Sequence, residues 1–582
     1  MHSSNKNYAP AKSWRFKAML GLLVCFALIL IGRIVYLSVF NQRFLKTQGD
    51  IRALRVVTIP AYRGMITDRN GYPLAISTPV SAVWLDPLLF DSQNPQLSTL
   101  AKLLGSNVRD IIARAAKNSH REFVYLKRGL DPVVGKQIID LAIPGVSVQQ
   151  EYKRFYPEGE VTAHLLGFTN IDDQGQEGLE LTYNGWLAGV PGRKQVLKDR
   201  LGRTVADIQT VKPAEPGHNL SLSIDRRMQF LAYQALSEGV TKFKAVSGSA
   251  IVIDVKTGEI LAMVNVPTYN PNNRQSDHDA YRNRAVTDVY EPGSVMKTIS
   301  MASALASGQI QANTKIDTSP GYMMVAGHRV EDEHDNGVID MATLLAKSSN
   351  VGMSKITLAL PPDQLWQTFH AFGFGQVTNS NFPGESAGIL RHENPWHLFD
   401  LATMSFGYGM SATPLQVAAA YAVLGNEGVK LPVSLLRLTT APQGQRIVDA
   451  KVARDLLDLL EAVIYQHGGT APLAKVPGYR VTGKTGTTRL LGPHGYLKHR
   501  YNGAFVGLAP AHKPKLLVYV QIHDPQGVVY YGGYTAGPVF AKIMGNSLRL
   551  LGVLPDDASP ETAPPSVSDA LQDADNNDVN DF

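Results

Sequence analysis

Cysteine is almost absent from this chain of 582 residues, in which Cys25 carries the one thiol. Because Cys25 falls inside a long apolar run, the rest of the chain cannot form a disulfide and must be stabilised by its hydrophobic cores. The same scarcity excludes a catalytic cysteine and a cysteine-ligated zinc site outside that run. The length provides material for several domains.

Basic residues are missing from the end of the chain. Positions 555–582 contain eight Asp or Glu residues, several prolines and no Lys or Arg. This composition predicts a disordered acidic tail. Without those eight acids, the formal net charge rises from +6 for the whole chain to +14 for the remainder. A basic body suits a surface near anionic lipid head groups, and no motif in it indicates binding to nucleic acid.

Long apolar runs are also scarce, with one at 18–40 that only Arg33 interrupts. As a helix this run is about 35 Å long, which is enough to span a bilayer. Four basic residues and no acid precede it, so the positive-inside rule predicts a cytoplasmic N-terminus and an external remainder. Since no small-x-small cleavage pattern follows, the run is predicted to be an uncleaved signal anchor.

Residues 291–297 contain a serine and a lysine three positions apart, at the predicted start of a helix that ends near Gly308. Residues i and i+3 of a helix share a face, with Cβ atoms about 5 to 6 Å apart, so the Lys297 amine can reach the Ser294 hydroxyl. The positive end of the helix dipole favours a neutral lysine, the form that a general base requires. The motif alone is weak, because the spacing recurs at 3–6.

Two further motifs follow in the order that a serine acyl-transfer site requires: Ser-Ser-Asn at 348–350 and Lys-Thr-Gly-Thr-Thr at 484–488. The first lies between two helix-like runs, 341–347 and 351–360, where side chains can point into a cleft. A copy of the third motif at 256–258 is predicted to be a hairpin turn instead.

Strand-like patterns occur in two separate parts of the chain. A hairpin is predicted at 249–265, and three strands at 479–488, 503–509 and 515–522. Together they predict an α/β fold with a five-stranded antiparallel sheet, flanked by the intervening helices and by a closing helix near 539–551.

The ordered motifs resemble those of the penicillin-binding proteins and related serine β-lactamases. Segments at 63–71, 154–159, 163–167 and 177–180 resemble the structural pedestal of class B, monofunctional members. The segment Ser-Phe-Gly-Tyr-Gly-Met at 405–410 is similar to the division-specific branch, called penicillin-binding protein 3 in many bacteria. The resemblance implies five consecutive parts: cytoplasmic tail 1–17, transmembrane anchor 18–40, elongated α+β pedestal 41–225, transpeptidase domain 226–554 and acidic tail 555–582.

The resemblance also implies a reaction and its residues. Ser294 attacks the penultimate D-alanine of a stem peptide, Lys297 takes its proton, and a neighbouring amine then cross-links the acyl-enzyme. Ser348, Asn350 and Lys484 complete the catalytic set. The residues implied in binding the stem peptide, or a β-lactam that mimics it, are Thr485, Gly486, Thr487, Arg489 and Tyr408.

Several alternatives stay open at this point. A D,D-carboxypeptidase or an elongation-specific transpeptidase shares these motifs, and a β-lactamase or a β-lactam sensor is a more distant alternative. No cofactor is expected, because no βαβ unit surrounds the glycines at 407–409. No metal is expected either, since the histidines at 392 and 397 are wrongly spaced and the acidic run 331–335 is interpreted as a solvated turn. The expected partners, by resemblance, are a membrane-embedded glycan polymerase and other division proteins at a bacterial inner membrane, with the catalytic domain in the periplasm.

Overall fold

The computed structural model describes residues 13–199, 204–274, 279–392, 396–527 and 529–557. The repeated spacing at 3–6, most of the predicted cytoplasmic tail and nearly all of the acidic tail lie outside these residues. The described chain divides into two compact units, each built from separate stretches of sequence. The predicted domains are consecutive ranges, and those ranges stay a prediction.

The N-terminal apolar segment forms an α-helix, Ser13–Val35, which continues as a π-helical segment, Tyr36–Phe40. It begins before the predicted start at 18, because the preceding residues 13–17 contain no glycine or proline to stop a helix. None of its apolar window is buried, and by length and composition the helix can cross a membrane.

The first unit contains residues 13–61, Pro79–Tyr152 and Gly189–Pro216. Strand Gly192–Lys198 pairs antiparallel with Leu54–Ile59 on one side and with Thr204–Lys212 on the other. The other elements that lie wholly in this unit are the helices Gln42–Ala53, Leu97–Leu104, Val108–Lys117 and Pro132–Asp140 and the strand Val124–Leu130.

A small core lies within this first unit. Helix Leu97–Leu104 buries Leu97, Leu100, Ala101 and Leu104, the spacing expected of a single apolar face. It ends at Gly105, whose φ of 60° is the left-handed conformation that glycine adopts most readily.

The second unit contains Tyr62–Thr78, Lys153–Ala188 and the described residues from Gly217 onward. Its main sheet has five antiparallel strands, which confirms the predicted split sheet. The strand order is Ile260–Val266, Ser247–Asp254, Leu516–His523, Gly495–Ala509, Thr482–Gly492. The turn at 256–258 closes the first hairpin, as predicted, with Gly258 N–H donating to the Asp254 carbonyl.

Helices cover both faces of this sheet. A Cβ placed on Gly507 would meet the ring of Phe540 in helix Gly532–Leu550, whereas the next residue, Leu508, packs against Gly425 of helix Pro414–Gly425. Because successive strand residues point to opposite faces, these contacts place the two helices on opposite sides. The strands are accordingly buried on both faces, with Ser247–Asp254 buried along nearly its whole length.

The closing helix begins earlier than predicted. It runs from Gly532 to Leu550 and includes Pro538 in its interior, whereas the prediction started it near 539. A proline is more common in the first turn of a helix than in its interior, so Pro538 gives no local signal that the helix begins six residues earlier. Pro538 lacks only the N–H that would bond to the fourth residue before it, and the helix tolerates this single loss.

The second unit also contains the helices that surround the sheet and its cleft. Its longer helices are Arg226–Lys242, Met296–Ala306, Asn350–Leu358, Gln364–Phe372, Leu398–Met404 and Ala450–Tyr465. Its shorter helices are Ala163–Leu166, Gly178–Thr182, Asn184–Leu187, Arg284–Thr287 and Met341–Ala346. Short strands pair as Lys315–Asp317 with Val338–Asp340, Tyr322–Val325 with His328–Glu331, Val429–Lys430 with Gln445–Arg446, and Ile66–Thr67 with Leu220–Ser221.

A buried charge cluster joins three of the segments that resemble the pedestal. Glu180 accepts hydrogen bonds from Arg63 Nε and Arg154 Nε, each at 2.6 Å, and all three side chains are at most 1% exposed. Such a cluster is stabilising only while it is complete, because removal of the carboxylate would leave two buried cations. The three charged residues of these pedestal-like segments therefore form buried salt bridges with one another.

Candidate active site

The predicted nucleophile, Ser294, lies in a short turn that leads directly into a buried helix. Ser294 is the middle residue of the 3-10 turn Gly293–Val295, and the α-helix begins at Met296. Ser294 is half-buried, while Lys297 in the first turn of the helix is completely buried. The helix ends at Ala306, close to the predicted end.

Glycines allow two other segments to approach this turn closely. Gly293 N–H donates to the Gly407 carbonyl at 3.1 Å, and a Cβ on Gly407 would lie 2.2 Å from the Gly293 oxygen. A Cβ on Gly293 would lie 2.2 Å from the Thr488 side chain, and one on Gly486 would lie 3.1 Å from the Pro292 oxygen. The turn that carries Ser294 is therefore held between the loop at 405–410 and the strand Thr482–Gly492.

Lys297 is positioned by the second motif. Its Nζ donates to Ser348 Oγ at 3.1 Å and also to the Ser348 carbonyl oxygen. Burial lowers the pKa of Lys297 to about 7, although the carboxylates of Asp332 and Glu333 oppose this shift. A substantial fraction of this amine is therefore neutral near neutral pH, as a general base must be.

Lys484 reaches the same hydroxyl from the other side of the cleft. Its Nζ donates to Ser348 Oγ at 3.0 Å and to Thr485 Oγ1 at 3.2 Å. Burial, and then the charge of Lys297, lower the pKa of Lys484 well below its ordinary value. Two completely buried amines thus share one hydroxyl oxygen, which disfavours the state in which both carry a proton.

The backbone at the second motif has the shape needed for this contact. Ser348 follows helix Met341–Ala346 and has a φ of 56°, which is uncommon for a residue with a side chain and typical of functional sites. Ser349 caps the next helix by accepting from Gly352 N at 2.9 Å. The predicted helix–helix junction is therefore confirmed.

Asp332 is a site residue that sequence reasoning missed. Its carboxylate accepts from Ser349 Oγ at 2.5 Å, from Asn350 N at 2.5 Å and from Val351 N at 2.9 Å. The interpretation of 331–335 as a solvated acidic turn was therefore wrong for Asp332, which is half-buried at the N-terminus of helix Asn350–Leu358. No local pattern signals this contact, because its partners follow 17 to 19 residues later and meet Asp332 only through the fold.

The Asn350 side chain bonds to the backbone of strand His328–Glu331. Its Nδ2 donates to the Glu331 carbonyl at 2.9 Å, while the hydrogen bonds of Lys297 Nζ within the described residues go to Ser348. Asn350 is the first residue of helix Asn350–Leu358, and its side chain connects that helix to the strand that ends at Glu331.

The third motif forms the outer strand of the main sheet. Thr487 Oγ1 accepts from Gly532 N at 3.0 Å, and Thr485 Oγ1 donates to Thr470 Oγ1 at 3.0 Å. Arg489 is exposed farther along the same strand. Burial raises the pKa of the Tyr408 hydroxyl, and the nearby backbone and charge of Arg489 oppose that shift. Nine of the predicted residues thus lie in or beside one cleft: Ser294, Lys297, Ser348, Tyr408, Lys484, Thr485, Gly486, Thr487 and Arg489.

A metal has little support in the described part of the chain. The His392 ring packs against Trp366 at 4.2 Å, and residues 393–395 of that cluster lie outside the described residues. Asp458, Glu461 and His512 could together reach one ion, but Glu461 already pairs with Arg480, and the other two are exposed.

Comparisons with known proteins agree with this geometry. Residues 248–545 match the penicillin binding protein transpeptidase domain, and residues 58–222 match the penicillin-binding protein dimerisation domain. The chain is 42% identical to a probable peptidoglycan D,D-transpeptidase, PbpC, of Pseudomonas aeruginosa over 96% of this chain and 97% of that protein. It is 41% identical to the peptidoglycan D,D-transpeptidase FtsI of Escherichia coli over 95% and 94% of the two chains.

Solved structures share the fold. A peptidoglycan synthetase from Bifidobacterium adolescentis superposes with a TM-score of 0.69 at 28% identity, covering 88% of this chain and 99% of that one. The transpeptidase domain of penicillin-binding protein 3 from Burkholderia pseudomallei gives 0.54 at 38% identity, covering 58% and 98%. The apolar N-terminal helix, together with the full-length similarity to FtsI, indicates a membrane-anchored protein. The chain belongs to the class B penicillin-binding proteins, in the branch of penicillin-binding protein 3, as its motifs predict.

Proposed function

We propose that this protein is a serine D,D-transpeptidase that cross-links peptidoglycan stem peptides at the division septum. The single observation that carries the proposal is the meeting of Lys297 Nζ and Lys484 Nζ at Ser348 Oγ, beside the turn that holds Ser294. One buried amine can then be neutral and accept a proton while the other supplies positive charge.

The first half of the reaction forms an acyl-enzyme. Ser294 Oγ attacks the carbonyl carbon of the penultimate D-alanine, and Lys297 Nζ takes its proton. The backbone N–H groups of Ser294 and Thr487 stabilise the oxyanion, a contribution of about 3 to 4 kcal/mol per donor. The C–N bond then breaks, and the leaving D-alanine amine receives a proton relayed through Ser348.

The second half transfers the acyl group. The amine of a neighbouring stem peptide attacks the ester, a new amide bond forms, and Ser294 recovers its proton. Thr485, Thr487 and Arg489 bind the terminal carboxylate of the donor stem, or that of a β-lactam, and Tyr408 borders the peptide. Lys484 orients the Ser348 hydroxyl through its hydrogen bonds to Ser348 Oγ and Thr485 Oγ1.

The test uses the full-length chain in detergent micelles. A fluorescent penicillin should label the wild type covalently and should not label Ser294→Ala, whereas retained labelling would remove Ser294 as the nucleophile. Ser307→Ala, just beyond the other end of the same helix, is the matched control and should label normally.

A second assay separates transfer from hydrolysis. The enzyme is incubated with a D-alanyl thioester, with and without a D-amino acid acceptor. Transfer to the amine without appreciable hydrolysis supports a transpeptidase, while rapid release of the free acid supports a carboxypeptidase or β-lactamase.

The location and the partners belong to the same proposal. The positive charge ahead of the apolar helix favours a cytoplasmic N-terminus and a periplasmic catalytic unit at the bacterial inner membrane. A membrane-embedded glycan polymerase and other division proteins are the proposed partners. Proteolysis of intact spheroplasts tests the orientation, since digestion from outside should remove the catalytic unit.

A further inference from the structure

Glu291 joins two segments at the mouth of the cleft. Its Oε1 accepts from the backbone N–H of Gly409 at 2.9 Å, and its Oε2 accepts from the hydroxyl of Tyr496 at 2.7 Å. Glu291 itself lies three residues before Ser294, in the segment that leads into the serine turn. One carboxylate therefore connects the segment that precedes Ser294, the loop at 405–410, and the tip of the hairpin that strands Thr482–Gly492 and Gly495–Ala509 form. Tyr496 lies near that tip.

The hairpin needs such a connection. Strand Leu516–His523 supports its neighbour, Gly495–Ala509, only from Asn502 onward. Residues 495–501 therefore pair only with strand Thr482–Gly492, and this two-stranded ribbon is largely exposed. An isolated two-stranded ribbon is marginally stable in water, so its tip is free to move unless another segment holds it.

Tyr408 is fixed by the same contacts. Its ring meets the Tyr496 ring edge-on with a centroid distance of 5.9 Å. The next residue, Gly409, carries the N–H that bonds to Glu291. Loss of the carboxylate would thus release both the tip of the ribbon and the loop that presents Tyr408.

We propose that Glu291 is a positioning residue for acylation, which sets the width of the cleft mouth by holding Tyr408 and the ribbon tip at fixed distances from Ser294. This inference rests on the proposed transpeptidase function. Glu291 acts through the two tyrosines and the Gly409 backbone, so its removal slows the acylation step itself and leaves the main sheet intact. Small displacements of positioning groups are costly because acylation requires near-attack geometry.

The test measures the limiting acylation rate constant of the full-length chain at saturating fluorescent penicillin. We expect at least a tenfold decrease in Glu291→Ala, which corresponds to about 1.4 kcal/mol. Glu291→Gln keeps an acceptor for Gly409 and an amide that can bond to the Tyr496 hydroxyl, and should stay within about threefold of the wild type by that scale. Tyr496→Phe should also lower the acylation rate constant. The double variant Glu291→Ala/Tyr496→Phe should acylate no more slowly than Glu291→Ala alone, because both changes remove the same contact.

The matched control is Lys498→Ala, which alters the same exposed ribbon and should acylate as the wild type. A purely structural role would lower the labelled fraction and the melting temperature while each folded molecule kept its rate constant, and that result would overturn the inference. Wild-type rates in Glu291→Ala, or independent effects in the double variant, would do the same. If Glu291→Ala fails to fold, Tyr496→Phe decides, because unchanged acylation there contradicts the inference. Failure of the wild type to label would instead refute the proposed function.

Discussion

The assignment of Lys297 as the base determines how acylation depends on pH. Burial holds the pKa of its amine at about 7, so the amine loses its proton as the pH rises through neutrality. The neutral fraction is about 9% at pH 6, about 50% at pH 7 and about 91% at pH 8, by the ordinary titration relation for a general base. The second-order rate constant of acylation should therefore rise about tenfold between pH 6 and pH 8.

The assay follows covalent labelling by a fluorescent penicillin at limiting concentration, in buffers of constant ionic strength. Ser307→Ala should show the same rise in the acylation rate constant between pH 6 and pH 8 as the wild type. Thermal unfolding at each pH should establish that the protein stays folded. Lys297→Arg, which retains a positive charge but cannot release a proton, should not acylate at any of these values. A flat profile from pH 6 to pH 8, or a limb near pH 10, would refute the neutral-lysine mechanism.

Two further predictions concern the supports of the cleft. Asp332→Asn removes a charged acceptor at the N-terminus of helix Asn350–Leu358, which should cost about 1 kcal/mol of stability. The Asp332 charge also opposes the effect of burial on the pKa of Lys297. Its loss should therefore lower that pKa and move the pH at which acylation is half-maximal to a lower value. An unshifted limb, in the same labelling assay, would contradict this coupling. Gly407→Ala should abolish acylation, since a Cβ there would lie 2.2 Å from the Gly293 oxygen, whereas Gly409→Ala has a similar positive φ but open space and should cost only about 1 kcal/mol of stability. Equal behaviour of the two glycine variants in labelling and urea unfolding would show that the close approach is unimportant.

Much of this site could be predicted because its parts are local in sequence. The spacing of Ser294 and Lys297 depends only on helix geometry, and the junction at 348–350 follows from two adjacent helical patterns. The five strands also carry clear patterns, since each is apolar and bounded by turn residues. These features can be predicted without the tertiary structure, because the geometry of residues close together in the sequence determines them.

The relations between distant segments could not be predicted in the same way. Asp332 meets its partners only after a small hairpin and two helices have packed. Because these partners are distant in sequence, the sequence pattern predicted a solvated carboxylate. The hydrogen bond from the Asn350 amide to the Glu331 carbonyl likewise joins residues that are 19 positions apart in the chain. The closing helix extends back to Gly532 because its first residues are buried by tertiary packing, although glycines and a proline there have low helix propensity.

The split sheet has a consequence for how the protein is made. Strand Ser247–Asp254 pairs with Leu516–His523, which emerges from the ribosome about 260 residues later, or roughly 13 to 50 s at ordinary rates of synthesis. During that interval one edge of a buried, apolar hairpin has no partner within the main sheet. An unpaired edge of this kind is a template for aggregation. The yield of folded protein should therefore depend on whether the first hairpin stays covered until the last strands arrive.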